Sequence, residues 1–265
     1  MKSKINFKMV FFISIILVMV IGKMVTPYDP NLVDMSISLQ PPSSQHLFGT
    51  DNLGRDVFSR VLSGAWTTVG TGIIILIFSL LIGVPIGLFS GYVGGKVDWM
   101  IMRFIDSFIA FPDYIVAIVL SGILGSGTFN LILAIVAVKW VRYARLVRST
   151  VQSEKTKDYI LMAKLNGLNT ISILNKHLIP HIVGNITAVA TMDMGKIILM
   201  IASLSYIGLG VQPPNPEWGS MLNEGRTFFQ SAPHLMIAPG LAIMIVVLAV
   251  NLFGDSISKQ YSTRN

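Results

Sequence analysis

Cysteine is missing from all 265 residues, which excludes disulfides and thiolate metal sites and says little of compartment. Charge is nearly as scarce. Asp, Glu, Lys and Arg together make 12% of the chain, against 52% hydrophobic residues and a mean hydropathy of +0.67, a balance outside that of soluble globular domains. A phosphate-binding loop of the form Gly, four residues, Gly-Lys-Ser/Thr does not occur, since Gly94-Gly95-Lys96-Val97 lacks both the upstream glycine and the hydroxyl. The chain is not expected to bind ATP. No His-Glu-x-x-His run, nucleophile elbow or His-Asp-Ser grouping is present, so no catalytic residue, cofactor or metal site is expected in it. His46 has no second histidine or well-spaced carboxylate beside it and reads as a solvated loop histidine.

Long apolar runs, by contrast, are abundant. A helix crossing a bilayer needs about 20 largely apolar residues, and six windows meet or approach this: 9–25, 69–93, 104–124, 130–147, 186–209 and 235–253. Helices satisfy their own backbone hydrogen bonds in lipid, and no barrel-like alternation is seen. The expected fold class is therefore an all-α membrane protein with six transmembrane helices, in contact with membrane lipid. Lys2, Lys4 and Lys8 before the first window would also suit a signal peptide, but no small-residue cleavage site follows. The net charge of +7 would suggest nucleic acid in a soluble protein. Here its distribution decides otherwise. With the N-terminus inside, Lys96, Arg103, Arg142, Arg145, Arg148, Lys155, Lys157, Lys164, Lys176 and Lys259 fall on one side, while Arg55, Arg60 and Arg226 fall on the other. The positive-inside rule then predicts a cytoplasmic-membrane protein with both termini in the cytoplasm.

Two loops on the outer side carry distinct sequences. Residues 26–65 are rich in Pro, Ser, Asp and Gly and are expected to hold little regular structure. Within them Asp51, Arg55 and Asp56 can form an ion-pair and capping cluster at the start of the next helix, with turns at Gly49 and Gly54. Residues 211–233 hold Pro213, Pro214 and Pro216, then Trp218 as a candidate interfacial anchor and 221–229 as a short surface helix. The organisation expected is 1–65 as an N-terminal helix with its loop, and 66–265 as a core of five helices.

Charges inside the apolar windows are costly and must face protein or water. Asp193 and Lys196 stand three residues apart in the fifth window, suited to pairing on one helix face, and serve equally as a buried pair or as part of a transport path. Asp106 follows Arg103 by three residues and is expected to pair with it. Asp113 follows Pro112, where a helix can break; it either lines a path or caps a restarted helix. Gly83, Gly87 and Gly91 recur every four residues and, with Gly208 and Gly210, suggest close helix packing.

Residues 158–180 form a polar, basic-edged interruption. Asp158 is a candidate N-cap, Leu161, Leu165 and Leu168 repeat at helical spacing, and Gly167 interrupts the helix. Thr170 can cap a second short helix that Pro180 is expected to end.

These residues resemble the cytoplasmic loop of ABC-importer membrane subunits, whose pattern is Glu-Ala-Ala, three residues, Gly, then a distant Pro. Gly167 and Pro180 fit that pattern and Ala163 takes the second alanine, while Leu161 stands at the glutamate and Met162 at the first alanine. The run His46 to Asp56, holding Gly-Thr-Asp, two residues, Gly-Arg-Asp, resembles a subunit type of the peptide and nickel importers, and 212–224 is similar to the same family. The resemblance spans about His46 to the C-terminus. It implies a permease subunit whose coupling loop, with Asp158, Leu161, Met162, Ala163, Gly167 and Pro180, seats on an ATP-hydrolysing partner. It also implies a second homologous permease, two ATP-binding subunits and an extracytoplasmic substrate-binding protein, with ATP held by partners and no cofactor in this chain. The stretch 195–210 looks closer to nickel-type members, because Ile201 stands where peptide-type ones often carry glutamate. Nickel or a metal chelate is thus the expected cargo, with di- or oligopeptides as the alternative. Asp113, Asp193 and Lys196 are the candidate path residues. A secondary transporter would show an inverted repeat with paired broken helices, and an intramembrane enzyme a convergent polar constellation; neither pattern is seen.

Overall fold

The computed structural model describes residues 12–14, 17, 22 and 25–262, and the first predicted window lies mostly outside the described residues. Among those described, regular structure is helical apart from one isolated bridge between Thr50 and Asp56. Helix α1 (Val57–Val93) opens on Asp56, whose carboxylate accepts the Ser59 amide at 2.7 Å, supplying the acceptor that a free helix N-terminus lacks. It therefore starts well before the apolar window and takes in the end of the segment expected to be loop. Residues 26–56 are ordered too, with backbone bonds such as Leu39 to Asp51 and Thr50 to Gln40.

α2 (Gly95–Ile109) and α3 (Asp113–Leu124) follow, set at 85° to each other. The predicted third span is therefore not one straight helix. Pro112 has no amide hydrogen and biases Phe111 away from helical geometry, so the chain turns there. α4 (Thr128–Lys155) is next, then the short α5 (Asp158–Leu165) and α6 (Thr170–Ile173). A π-helical turn, Leu174–Leu178, joins α6 directly to α7 (Ile179–Tyr206). Pro180 does not end the helix: the turn before it bonds from i to i−5, as the Ile179 amide does to Leu174 O, and proline's missing amide falls where the ladder changes register. Asn169, not Thr170, caps α6 by accepting the Ser172 amide at 2.8 Å. α8 (Trp218–Gly225) and α9 (His234–Ser262) complete the chain.

Among the described residues three helical stretches are long and apolar enough to cross a membrane, Val57–Val93, Leu174–Tyr206 and His234–Lys259, or four if the bent α2–α3 pair counts as one. α4 falls outside this set because Lys139, Arg142, Arg145 and Arg148 interrupt it.

The glycine stripe of α1 is what seats α4. A Cβ on Gly83 would stand 2.5 Å from the Trp140 carbonyl oxygen, one on Gly87 2.8 Å from Val147 Cβ, and one on Gly91 2.9 Å from Val151 Cβ. The two backbones approach as closely as small residues in lipid allow. Gly208 has a different task from the packing expected of it: nothing stands near it, and its φ of +87° closes α7 while its amide and that of Leu209 reach back to Ser205 and Leu204.

Candidate functional site

α5 lies where α4 ends and α7 begins, at the opposite end of the bundle from residues 26–56 and α8. Its buried side is Ile160 and Ala163, which join Val147, Val151, Ile173, Leu178 and Ile182 in one apolar cluster. Of the leucine repeat, Leu168 packs against this cluster and the other two lie on the outside of α5. Leu161, Met162 and Leu165 are 48%, 61% and 81% exposed among the described residues, three large apolar side chains on one short helix. Asp158 is the exposed first residue of α5, past the true cap position, where its charge suits the helix dipole. Gly167 has φ +74° and is exposed; the amide of Leu168 returns to Ala163 O at 3.1 Å and that of Asn166 to Met162 O at 3.0 Å, so the glycine stops the helix by its left-handed backbone.

Below α5 the chain is tied to α4. Glu154 accepts from Lys157 at 2.7 Å and from the Tyr159 hydroxyl at 2.6 Å. Burial first, then donation to Glu154, pushes the Tyr159 hydroxyl up to about 12, so it stays a donor at neutral pH. Tyr159 also lies 6.1 Å from His177 and 5.8 Å from His181, ring to ring, across the bend into α7. Tyr92 at the end of α1 donates its hydroxyl to Thr170 at 3.2 Å. α5 and α6 together thus touch α1, α4 and α7.

α4 carries a basic residue every third position, and each meets an aspartate from another helix. Lys139 Nζ lies 2.9 Å from Asp113 Oδ2, and Arg142 Nη1 lies 2.8 Å from Asp193 Oδ1. Arg145 pairs with Asp106, and Arg148 pairs with Asp98, which also accepts from Ser90 at 2.5 Å. The expected Arg103–Asp106 pair is the looser one at 4.0 Å. Lys196 reaches Asp193 at 3.7 Å, so the sequence-predicted pair is present but shares its carboxylate with Arg142. Asp113 opens α3 without capping it, since Pro112 holds the cap position and no side-chain hydrogen bond closes that end; its half-exposed carboxylate holds Lys139 instead. The three-residue spacing of the cations is visible in the sequence; their partners lie on other helices and are not.

Residues 26–56 and 211–233, expected as two outer loops, are joined by ion pairs into one body. Arg55 holds Asp51 at 2.6 Å and Glu224 at 2.5 Å, and Arg60, 1% exposed, lies 3.3 Å from Glu224 and 3.5 Å from Asp51. His46 is buried, not solvated, with Nδ1 3.0 Å from Asp56 Oδ1 and its ring 4.8 Å from that of Tyr28. Trp218 is buried rather than interfacial: its indole donates to Val61 O at 2.9 Å and lies over Gly64. Glu217 folds the loop inward, accepting the amides of Gly219 and Ser220, both at 2.9 Å, and the Thr68 hydroxyl at 3.0 Å. Burial pushes its carboxyl above the ordinary range, and those hydrogen bonds offset only part of the rise. Among the described residues no group of three or more His, Cys, Asp or Glu is placed to hold a metal ion.

Residues 83–264 match the family described as binding-protein-dependent transport system inner membrane component. The nickel transport system permease protein NikC of Escherichia coli (strain K12) is 39% identical over 231 residues, covering 87% of this chain and 83% of that protein. The glutathione transport system permease protein GsiD of Pectobacterium atrosepticum is 43% identical over 232 residues, covering 87% of this chain and 77% of that one. Among solved structures, an inward-facing conformation of the MetNI methionine ABC transporter matches 76% of this chain and 95% of its own with a TM-score of 0.56 at 17% identity, a likeness of fold.

Proposed function

This chain belongs to the binding-protein-dependent transport system inner membrane components, and we propose that it works as the permease subunit of an ATP-driven importer carrying a metal chelate or a small peptide. ATP is hydrolysed on partner subunits. In this reading the chain pairs with a second homologous permease, two ATP-binding subunits and an extracytoplasmic binding protein. Six segments cross the membrane in this reading, and both termini lie in the cytoplasm. The outer body of residues 26–56 and α8 then faces the binding protein, and α5 faces the cytoplasm.

The observation that carries the reading is α5 itself. Its inner side is locked into α4 and α7, while Leu161, Met162 and Leu165 stand uncovered, an apolar contact suited to a groove on another protein. With leucine and methionine in place of the acidic and small residues usual in the resembling loops, the contact is apolar in character. Closure of the ATPases would drive α5 and so tilt α1, α4 and α7, turning the cavity from one side to the other. Nickel carriage is supported by the NikC relative and by Ile201, peptide carriage by the GsiD relative. Uptake of Ni2+ chelates and of tripeptides by cells lacking this chain, complemented with the wild type or with Gly167→Pro, tests the role: ATP-dependent uptake should return only with the wild type, and uptake through Gly167→Pro would refute docking through α5.

A further inference from the structure

Cations and carboxylates along α4 are not evenly matched. Lys139 with Asp113, and Arg148 with Asp98, are balanced pairs. Between them, Asp193 alone faces both Arg142 and Lys196, and one helix away Asp106 alone faces both Arg145 and Arg103. Among the described residues, each of these sets holds one positive charge that no carboxylate offsets.

The Asp193 set lies about midway along both α4 and α7, at the depth where a lipid-facing cation costs about 2.5 to 3.5 kcal/mol. Yet the Arg142 and Lys196 side chains are 52% and 57% exposed, while Asp193 is 2% exposed. The acid is hidden and the two cations point away from the bundle interior. A surplus cation in that position is stable against water or an anionic group and unstable against hydrocarbon. On α7, Leu199 and Ser203 continue the same exposed face toward the outer end.

We propose that Arg142 and Lys196 form an anion-receptive station on a water-lined cargo path, and that the cargo passes as a carboxylate-bearing species. This rests on the importer reading. A peptide offers its terminal carboxylate to such a station, and a metal would pass inside an anionic chelate; a bare divalent cation is repelled by the surplus charge. The proposal adds Arg142 to the path and excludes the simplest form of metal cargo.

The absence of cysteine makes the station directly measurable. In the complete transporter reconstituted in liposomes, Leu199→Cys is labelled with an anionic and a cationic methanethiosulfonate, and modification of this chain is read by mass. The anionic reagent should react faster, and the rate ratio should fall about tenfold when Arg142→Gln and Lys196→Gln are added, with Lys196→Arg restoring it. An equal ratio in all variants, or no reaction with either reagent, overturns the proposal, and Ser203→Cys repeats the reading if the first substitution fails to assemble. This arm reads the site whatever is carried. A second arm offers Ni2+ alone, Ni2+ with citrate, trialanine and trialanine amide; it separates chelate from peptide, and uptake of Ni2+ alone or of the amide as fast as its carboxylate-bearing counterpart also overturns the proposal. A clear labelling preference in a transporter whose uptake ignores ATP would leave the station standing and remove the importer reading.

Discussion

Glu224 is the residue on which the outer body closes, because it is the shared acceptor for Arg55 and Arg60, and both arginines are almost wholly buried. Removing one partner of a buried ion network strands the charges that remain. Glu224→Ala should therefore destabilise the protein by about 3 kcal/mol, read as a lowered thermal midpoint in detergent, whereas Asp34→Ala, on an exposed turn, should change it little. Glu217 supplies a pH dependence of known sign. Its folded carboxyl titrates above the ordinary value of 4.5, so the folded state holds the proton more tightly than the unfolded chain. Stability from this group is complete below 4.5 and is lost as pH rises through the folded value. Between pH 5 and 8 the wild type should lose thermal stability relative to Glu217→Gln, and parallel profiles would contradict the assignment. At this scale the sequence was legible where partners are near in the chain. Asp56 as cap, and Asp51 with Arg55, could be read from spacing. The Arg142–Asp193 contact bridges 51 positions, and Trp218 meets Val61 across 157, distances over which composition carries no register.

Among the elements, α1 against α4 is fixed by the absence of side chains at three positions. Gly87→Val would drive a branched side chain into Val147 and force the helices apart, a loss of about 1–3 kcal/mol or more, while Gly70→Ala, with open space around it, should be neutral; thermal unfolding of the two variants separates these outcomes. Four-residue spacing made that stripe readable. The broken third span was readable in part, since Pro112 marks the break, but the 85° turn that follows depends on where α2 packs. A helix running to residue 178 is legible in the sequence, but the stop expected at Pro180 is absent, because the π-helical turn before it lets the chain enter α7 without a break. For α5 the leucine spacing marks a helix but gives no direction: Leu161 and Leu165 lie outside, while the cluster beneath is filled by Ile160 and Ala163 with Leu168 packed on it. An apolar stripe tells that something covers it, not whether the cover is the same chain. Gly167→Ala forces a Cβ into a φ of +74° and should cost about 1 kcal/mol, loosening α5 without removing its apolar contacts; hydrogen exchange at Asn166 and Leu168 amides should rise.

For the molecule as a whole, the two ends of the bundle differ in kind. One is closed by buried arginines and a buried tryptophan; the other ends in a short helix with leucine and methionine uncovered. Between them runs a row of ion pairs that joins α2, α3 and α7 to α4. The direct test is whether α5 is where an ATPase grips. Leu165, 81% exposed and making no part of the cluster beneath, can be changed to Asp without touching this chain's own packing. The account predicts that Leu165→Asp keeps the thermal midpoint of the permease and loses co-purifying ATP-binding subunits by tenfold or more. Retention of those subunits at wild-type yield, with ATP-driven uptake intact, would contradict it.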